Sequence, residues 1–443
     1  MTQHVFCGPT LSGDEVRAVV PDAIVHPPIR HGDALRLDTG PGDIVLIVDG
    51  VFHQSAAVRH KEILALIAAR TAVAGCSSMG ALRAAELDAF GMIGIGEVYR
   101  RYRSGETDAD ADVAVTHTQG GRIEQLSLAM VDLEAHLDDA CRDGAVDRGE
   151  HAALAAALRG VHYTERSPQR FAALRAPGID AFRAWLDARP DLRGAKHRDA
   201  LTALRLLAED GITTAAPGPW TKRAWRTEYL RDWTARHRGI IYKGRHITRT
   251  AHAQYRQIFD PEHPRRRRRL VLSWIGGATG PDDRSPQEVL DAALDAAAAS
   301  GLRLADLTPE QRRHWLTADE DDLEPAEALA RILVRSTAAG PVTPGSDWPQ
   351  AAPDSAITAA IAHAFAVNDR AAAHGVTIDG LETESVRTFL RGLWGLDGAD
   401  PETLTAAARD RGFRNFEGAA EICRQFILAE LGDALWHHLD PRM

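Results

Sequence analysis

Residues 43–91 read DIVLIVDGVFHQSAAVRHKEILALIAARTAVAGCSSMGALRAAELDAFG. Ile44 to Val48 is an unbroken apolar run rich in β-branched side chains, the pattern of a parallel strand covered on both faces. It stops at the turn pair Asp49-Gly50. A helical stretch with His60-Lys61-Glu62 follows. Then come a short strand over Thr71 to Ala74, the turn Gly75-Cys76-Ser77-Ser78-Met79-Gly80, and a second helix. Strand, helix, strand, helix is the repeat from which mostly parallel sheets are built. Such sheets bind ligands beyond the carboxyl ends of their strands, which puts Asp49 and Ser78 at the functional edge.

Upstream, His4 to Cys7 and Ala23 to His26, with Ile29, read as two further strands around a brief helix that Ser12 can cap. Downstream of Gly91 the pattern turns helical: Ile93 to Tyr102, Leu126 to Cys141, Arg148 to Leu158, and on through Leu207. The expected fold class is therefore an α/β N-terminal core, a mostly parallel sheet with flanking helices, followed by a largely α-helical C-terminal region. Boundaries are expected at 1–167 for the α/β core and 168–339 for a helical extension. A Pro/Gly-rich linker over 340–354 and a terminal helical bundle over 355–443 complete the chain, with Trp394, Phe413, Phe416 and Trp436 in the bundle's core. Asp108 to Asp112 reads as a solvated turn, lacking the Gly and closing Glu of a calcium loop. The run Arg265 to Arg269 reads as a solvated segment or a dock for an acidic partner.

Composition narrows the function. The 443 residues are 44% hydrophobic and 26% charged with a net charge of −10, an ordinary globular balance that argues against general nucleic-acid binding. The absence of a long apolar run and of a basic, apolar leader predicts no membrane span and a cytoplasmic protein. Cys7, Cys76, Cys141 and Cys423 show no metal-ligand spacing, and no phosphate-binding glycine loop is present, so neither a metal nor a cofactor is expected. Cys76 adjoins the serines and can carry a persulfide or simply pack.

The turn after the second strand offers a nucleophile. A serine between strand and helix presents its hydroxyl, and the N–H groups of Met79 and Gly80 are placed to receive an oxyanion. Lys61 is the candidate base: it projects from a largely alanine face, and burial favours a neutral amine. The chain uses Arg almost throughout, its lysines being Lys61, Lys196, Lys222 and Lys243 alone. Glu62, roughly 100° round the helix, opposes this reading if it reaches the amine. Each residue also has a plainer role. Ser77 or Ser78 can cap the helix, Lys61 can snorkel, and Arg83 can pair with Glu86 at i,i+3.

VDGVFHQSAAVRHKEIL, SSMGALRAAEL and FGMIGIGEVYRRY, followed by HTQGGRIEQLSLAMVDL, resemble the core of the TfuA family, the proteins that accompany YcaO enzymes in peptide backbone thioamidation. The resemblance runs over roughly residues 5–167. It implies hydrolysis of a thiocarboxylated ThiS-like sulfur-carrier protein by a Ser–Lys pair, releasing sulfide for YcaO, with Lys61 and Ser78 (or Ser77) in those roles. Asp49, His60, Glu62, Met79, Gly80 and Arg83 are then expected on the substrate side, Arg83 holding the carrier's flexible tail. Implied partners are a YcaO-family enzyme, the carrier and the precursor peptide or protein. The competing expectation is a non-catalytic adaptor that recruits peptide or carrier to YcaO. A third reading is a serine hydrolase of ordinary esters or amides.

Overall fold

A computed structural model describes residues 1–52, 55–118, 125–213, 227–278, 282–337 and 354–431. The linker expected at 340–354 falls, but for its last residue, outside the described residues, as does Trp436. The chain divides into two compact units, Met1–Leu230 and Arg231–Met443. The stretch 168–339, read as one helical extension, is thus shared between them.

In the first unit the order is β1 (Gln3–Phe6), α1 (Gly13–Val19), β2 (Ile24–His26), α2 (Asp33–Arg36), β3 (Ile44–Ile47), α3 (His60–Ala68), β4 (Ala72–Gly75), α4 (Met79–Leu87), β5 (Ile93–Gly94) and α5 (Glu97–Ser104). Helices α6 (Met130–Arg142), α7 (Arg148–Arg159), α8 (Pro168–Ala173), α9 (Ile179–Asp187) and α10 (Ala195–Ala208) complete it. The five strands form one sheet in the order β2-β1-β3-β4-β5, every pair parallel. The α/β core is as the sequence predicts. Two-residue β5 is not: Gly94 reads as a break, and two residues are too few to show a period.

Side chains on β3 alternate between two cores. Ile44, Leu46 and Val48 join Val5, Cys7, Ala74 and Cys76 beneath α1 and α10, while Val45 and Ile47 join Phe6 and Val73 beneath α3 and α4. Both faces are therefore dry, which is why β3 reads as an unbroken apolar run. Each fully buried Ile or Leu is worth about 1.5–3 kcal/mol against exposure. The strand order runs outward in both directions from β1, so a topological switch point falls between the ends of β1 and β3.

Asp112, expected in a solvated turn, is buried in a 3-10 turn and faces Arg159 at 3.7 Å. No helix among the described residues is long and apolar enough to cross a membrane.

The second unit takes up the rest of α11 (Glu228–His237) and opens with an antiparallel hairpin, β6 (Gly239–Tyr242) and β7 (Arg245–Thr248). Helices α12 (Arg249–Phe259), α13 (His263–Ile275), α14 (Pro286–Ala299), α15 (Pro309–Trp315), α16 (Pro325–Ser336), α17 (Ser355–Ala373), α18 (Thr383–Trp394), α19 (Pro401–Asp410) and α20 (Phe416–Glu430) follow. Trp394 packs on Phe413 and Phe416 as expected of a bundle core. The arginine run is solvated only in part, Arg265 and Arg266 staying exposed. It lies on α13, where Arg267 is buried and donates to the Val334 and Thr337 carbonyls, Arg268 forks onto Glu327, and Arg269 donates to the Asp282 and Arg284 carbonyls.

Candidate functional site

Two glycines bring α4 down onto the sheet. A Cβ on Gly80 would lie 1.8 Å from the Ile47 carbonyl oxygen, and one on Gly75 would lie 2.1 Å from the Gly80 oxygen. Only bare backbone permits that approach, and it carries the first turn of α4 to the carboxyl ends of β3 and β4. Between strand and helix, Ser77 adopts φ +67, a left-handed conformation that costs a non-glycine residue roughly 1–2 kcal/mol. The Cys76 carbonyl then accepts from both Ser78 N–H at 2.8 Å and Ala81 N–H at 3.1 Å, closing the turn.

The two serines have different surroundings. Ser77 is fully buried and its hydroxyl donates to the Lys196 carbonyl at 2.7 Å. Ser78 occupies the N-cap position of α4, yet its side chain makes no capping bond, so the capping alternative fails for it. Its hydroxyl has no hydrogen-bond partner among the described residues, and the side chain is nearly enclosed. Of the expected oxyanion donors, Met79 N–H donates no hydrogen bond among the described residues, whereas Gly80 N–H makes a long 3.4 Å bond to the Val48 carbonyl.

Asp49 stands at the switch point. Its carboxylate accepts from Gly8 N–H at 2.9 Å, Thr10 N–H at 3.0 Å and the Thr10 hydroxyl at 2.6 Å, pinning the loop after β1. Beside it the Met79 side chain fills the space a Cβ on Gly50 would need.

Lys61 lies in the first turn of α3, half-buried, and its ammonium donates to the Thr227 hydroxyl at 3.0 Å. No hydrogen bond joins it to Ser77 or Ser78 among the described residues. Glu62, the feared competitor, turns the other way. It is wholly enclosed, 2.5 Å from His31 Nδ1, and accepts from Gly32 N–H at 2.7 Å and Arg59 N–H at 3.0 Å. Burial raises its pKa despite those donors. No carboxylate pairs with Lys61 among the described residues.

His60 and Arg83 meet on one acid. Glu86 lies 2.8 Å from His60 Nε2 and 2.6 Å from Arg83 Nη1, tying α3 to α4, while Arg83 Nε also donates to the Val58 carbonyl. Burial pushes Glu86 up, but bonds from His60 and Arg83 outweigh it and hold the carboxyl below its ordinary range. Cys76 is fully buried and burial pushes its thiol far up, so it packs as a thiol and is no candidate thiolate.

Sequence reasoning expects the helix that ends at Leu207 but gives α10 no part in the site. Lys196 is buried there, its ammonium donating to the Val113 carbonyl at 3.0 Å and its N–H to Asp132 at 2.9 Å. Three residues on, Asp199 caps α5, accepting from Glu97 N–H and Val98 N–H at 2.8 Å each. The scarcity of lysine in this chain was the one sequence signal for Lys196.

No curated protein matches the chain. Residues 49–167, the segment running from Asp49 through Lys61 and both serines to α7 and just beyond, match the model of the TfuA-like protein family, so it is to TfuA-like proteins that this part of the chain is similar.

Proposed function

We propose that this chain hydrolyses the thiocarboxylate of a ThiS-like sulfur-carrier protein, releasing hydrosulfide for YcaO-dependent thioamidation. The TfuA-like match supports a role beside a YcaO enzyme. One observation carries the chemistry: the nearly enclosed Ser78 hydroxyl beside the Met79 N–H at the strand-to-helix turn, neither of them hydrogen-bonded among the described residues. Ser78 Oγ attacks the acyl carbon and loses its proton to the Lys61 amine. Met79 N–H receives the developing oxyanion. The carbon–sulfur bond breaks, the departing sulfur takes that proton back from the Lys61 ammonium and leaves as hydrosulfide, the amine is neutral again, and an acyl ester remains on Ser78. Water, deprotonated by the same amine, then cleaves that ester and regenerates the serine and a carrier carboxylate. Hydrosulfide is a good leaving group, so one base serves both halves without a strong acid.

The step requires Lys61 to leave Thr227 and reach Ser78. A neutral hydroxyl holds the amine less strongly than a carboxylate does, and Glu62 is committed to His31. The test uses full-length protein and a thiocarboxylated carrier, with sulfide as the readout. Ser78→Ala and Lys61→Ala are each expected to fold and to lose release by ~100-fold or more, the scale for an essential nucleophile or base. The missing Lys61–serine bond favours a second reading, a non-catalytic adaptor that presents carrier or peptide to YcaO. Undiminished release by both variants decides for it.

A further inference from the structure

Ser77 is the polar group of the turn that this hydrolysis leaves unused. Its hydroxyl cannot be the attacking group in the arrangement observed. The proton is directed at the Lys196 carbonyl at 2.7 Å, a partner that accepts but cannot take a proton, and the side chain has no exposure. The other neighbour within reach is the Cys76 sulfur at 3.4 Å, again not a base. Ser77 nevertheless holds the most unusual backbone of the turn, φ +67, immediately before the Ser78 hydroxyl.

Holding a serine left-handed is costly. A buried hydrogen bond offsets a cost of that size, so the bond is what makes the strained turn tenable. The acceptor is itself fixed. Lys196 lies in the first turn of α10, where its N–H is tied to Asp132 and its ammonium to the Val113 carbonyl, and α10 packs along the sheet through Ala200, Ala203, Leu204 and Leu207. The contact spans 119 residues and joins the matched segment to a helix beyond its end.

We infer that Ser77 is the positioning residue of the turn, its hydroxyl latched to the Lys196 carbonyl so that the left-handed backbone aims the Ser78 hydroxyl at the strand edge, and that α10 therefore belongs to the site. This rests on Ser78 being the nucleophile.

The test compares full-length Ser77→Ala, Ser77→Gly and Ser78→Ala on the thiocarboxylated carrier. Glycine accepts φ +67 without strain, so Ser77→Gly removes the latch and leaves a backbone that folds even where alanine fails. Both Ser77 variants are expected to lose kcat by ~10–100-fold, the scale of a misplacement near 1 Å, with KM changed by less than about 2-fold. A serine-directed fluorophosphonate is expected to label Ser78, more slowly in both variants than in the natural protein, with the site read by peptide mass spectrometry. Wild-type kcat in both variants, a loss confined to KM, full recovery in Ser77→Gly, or label on Ser77 overturns the inference. The two failures are distinct. Turnover by Ser78→Ala sinks the reading beneath, whereas an inactive Ser78→Ala with fully active Ser77 variants sinks the latch alone.

Discussion

Gly80→Ala puts the close approach of α4 to a direct trial. The added methyl would sit 1.8 Å from the Ile47 oxygen and 2.7 Å from its carbonyl carbon, with the Gly75 Cα at 3.2 Å. All three are backbone atoms of buried parallel strands, so no side chain can swing aside. To restore ordinary contact the start of α4 must part from β3 by more than ~1 Å, which sets the cost at or above the ~3 kcal/mol upper end of usual overpacking. For a unit of this size each kcal/mol moves Tm by about 2–4 °C, so a fall of roughly 6–12 °C is expected. The same displacement carries Ser78 and the Met79 N–H off station and, on the hydrolysis proposed above, should lower sulfide release by about 100-fold at temperatures where the variant is folded. Gly40→Ala is the control, since a Cβ there meets nothing within 4 Å. Thermal unfolding by circular dichroism and the sulfide assay on both full-length variants decide the matter. Gly80→Ala with the Tm and turnover of the control refutes the claim that glycine at 80 seats the helix.

The other predictions concern charge. Glu320 accepts from Arg335 at 2.5 and 2.9 Å in a cluster completed by Asp410; burial pushes its carboxyl up, but the Arg335 bonds and the Arg335 and Arg331 charges prevail and hold it at about 2. A depressed carboxylate stabilises fully above its ordinary value of 4.5, and that contribution fades as pH falls through about 2. Glu320→Gln should therefore cost about 3–5 kcal/mol at pH 7 by leaving Arg335 buried and underpaired, with a smaller gap at pH 3. Urea titrations followed by tryptophan fluorescence at the two pH values measure it, and a gap independent of pH contradicts the assignment. Asp199→Ala removes the acceptor for two N–H groups at the start of α5 and should cost ~1–2 kcal/mol in the same titration; an unchanged midpoint would remove Asp199 from the cap.

How much of this was legible follows from the range of each interaction. β3 announced itself because both its faces are buried, and the Gly75-to-Gly80 turn because strand end, serine and helix start are contiguous in sequence. Asp49 was placed at the right edge, but its work was hidden: the donors it holds, Gly8 and Thr10, lie 41 and 39 residues upstream, and no local pattern links them. Glu62, next to Lys61 in sequence, reads as its rival only if it reaches the amine; His31, 31 residues away, claims the carboxylate instead. Ser77 and Ser78 are indistinguishable as letters. What separates them is a backbone angle and a carbonyl 119 residues further on, and neither leaves a periodic or compositional trace. A strand-to-helix turn is thus written locally, whereas the surroundings that set its two serines apart come from whatever the fold packs against that turn, here the first residues of α10. A substitution at Asp132, which holds the Lys196 N–H, should by the same logic disturb the turn without touching any residue in it.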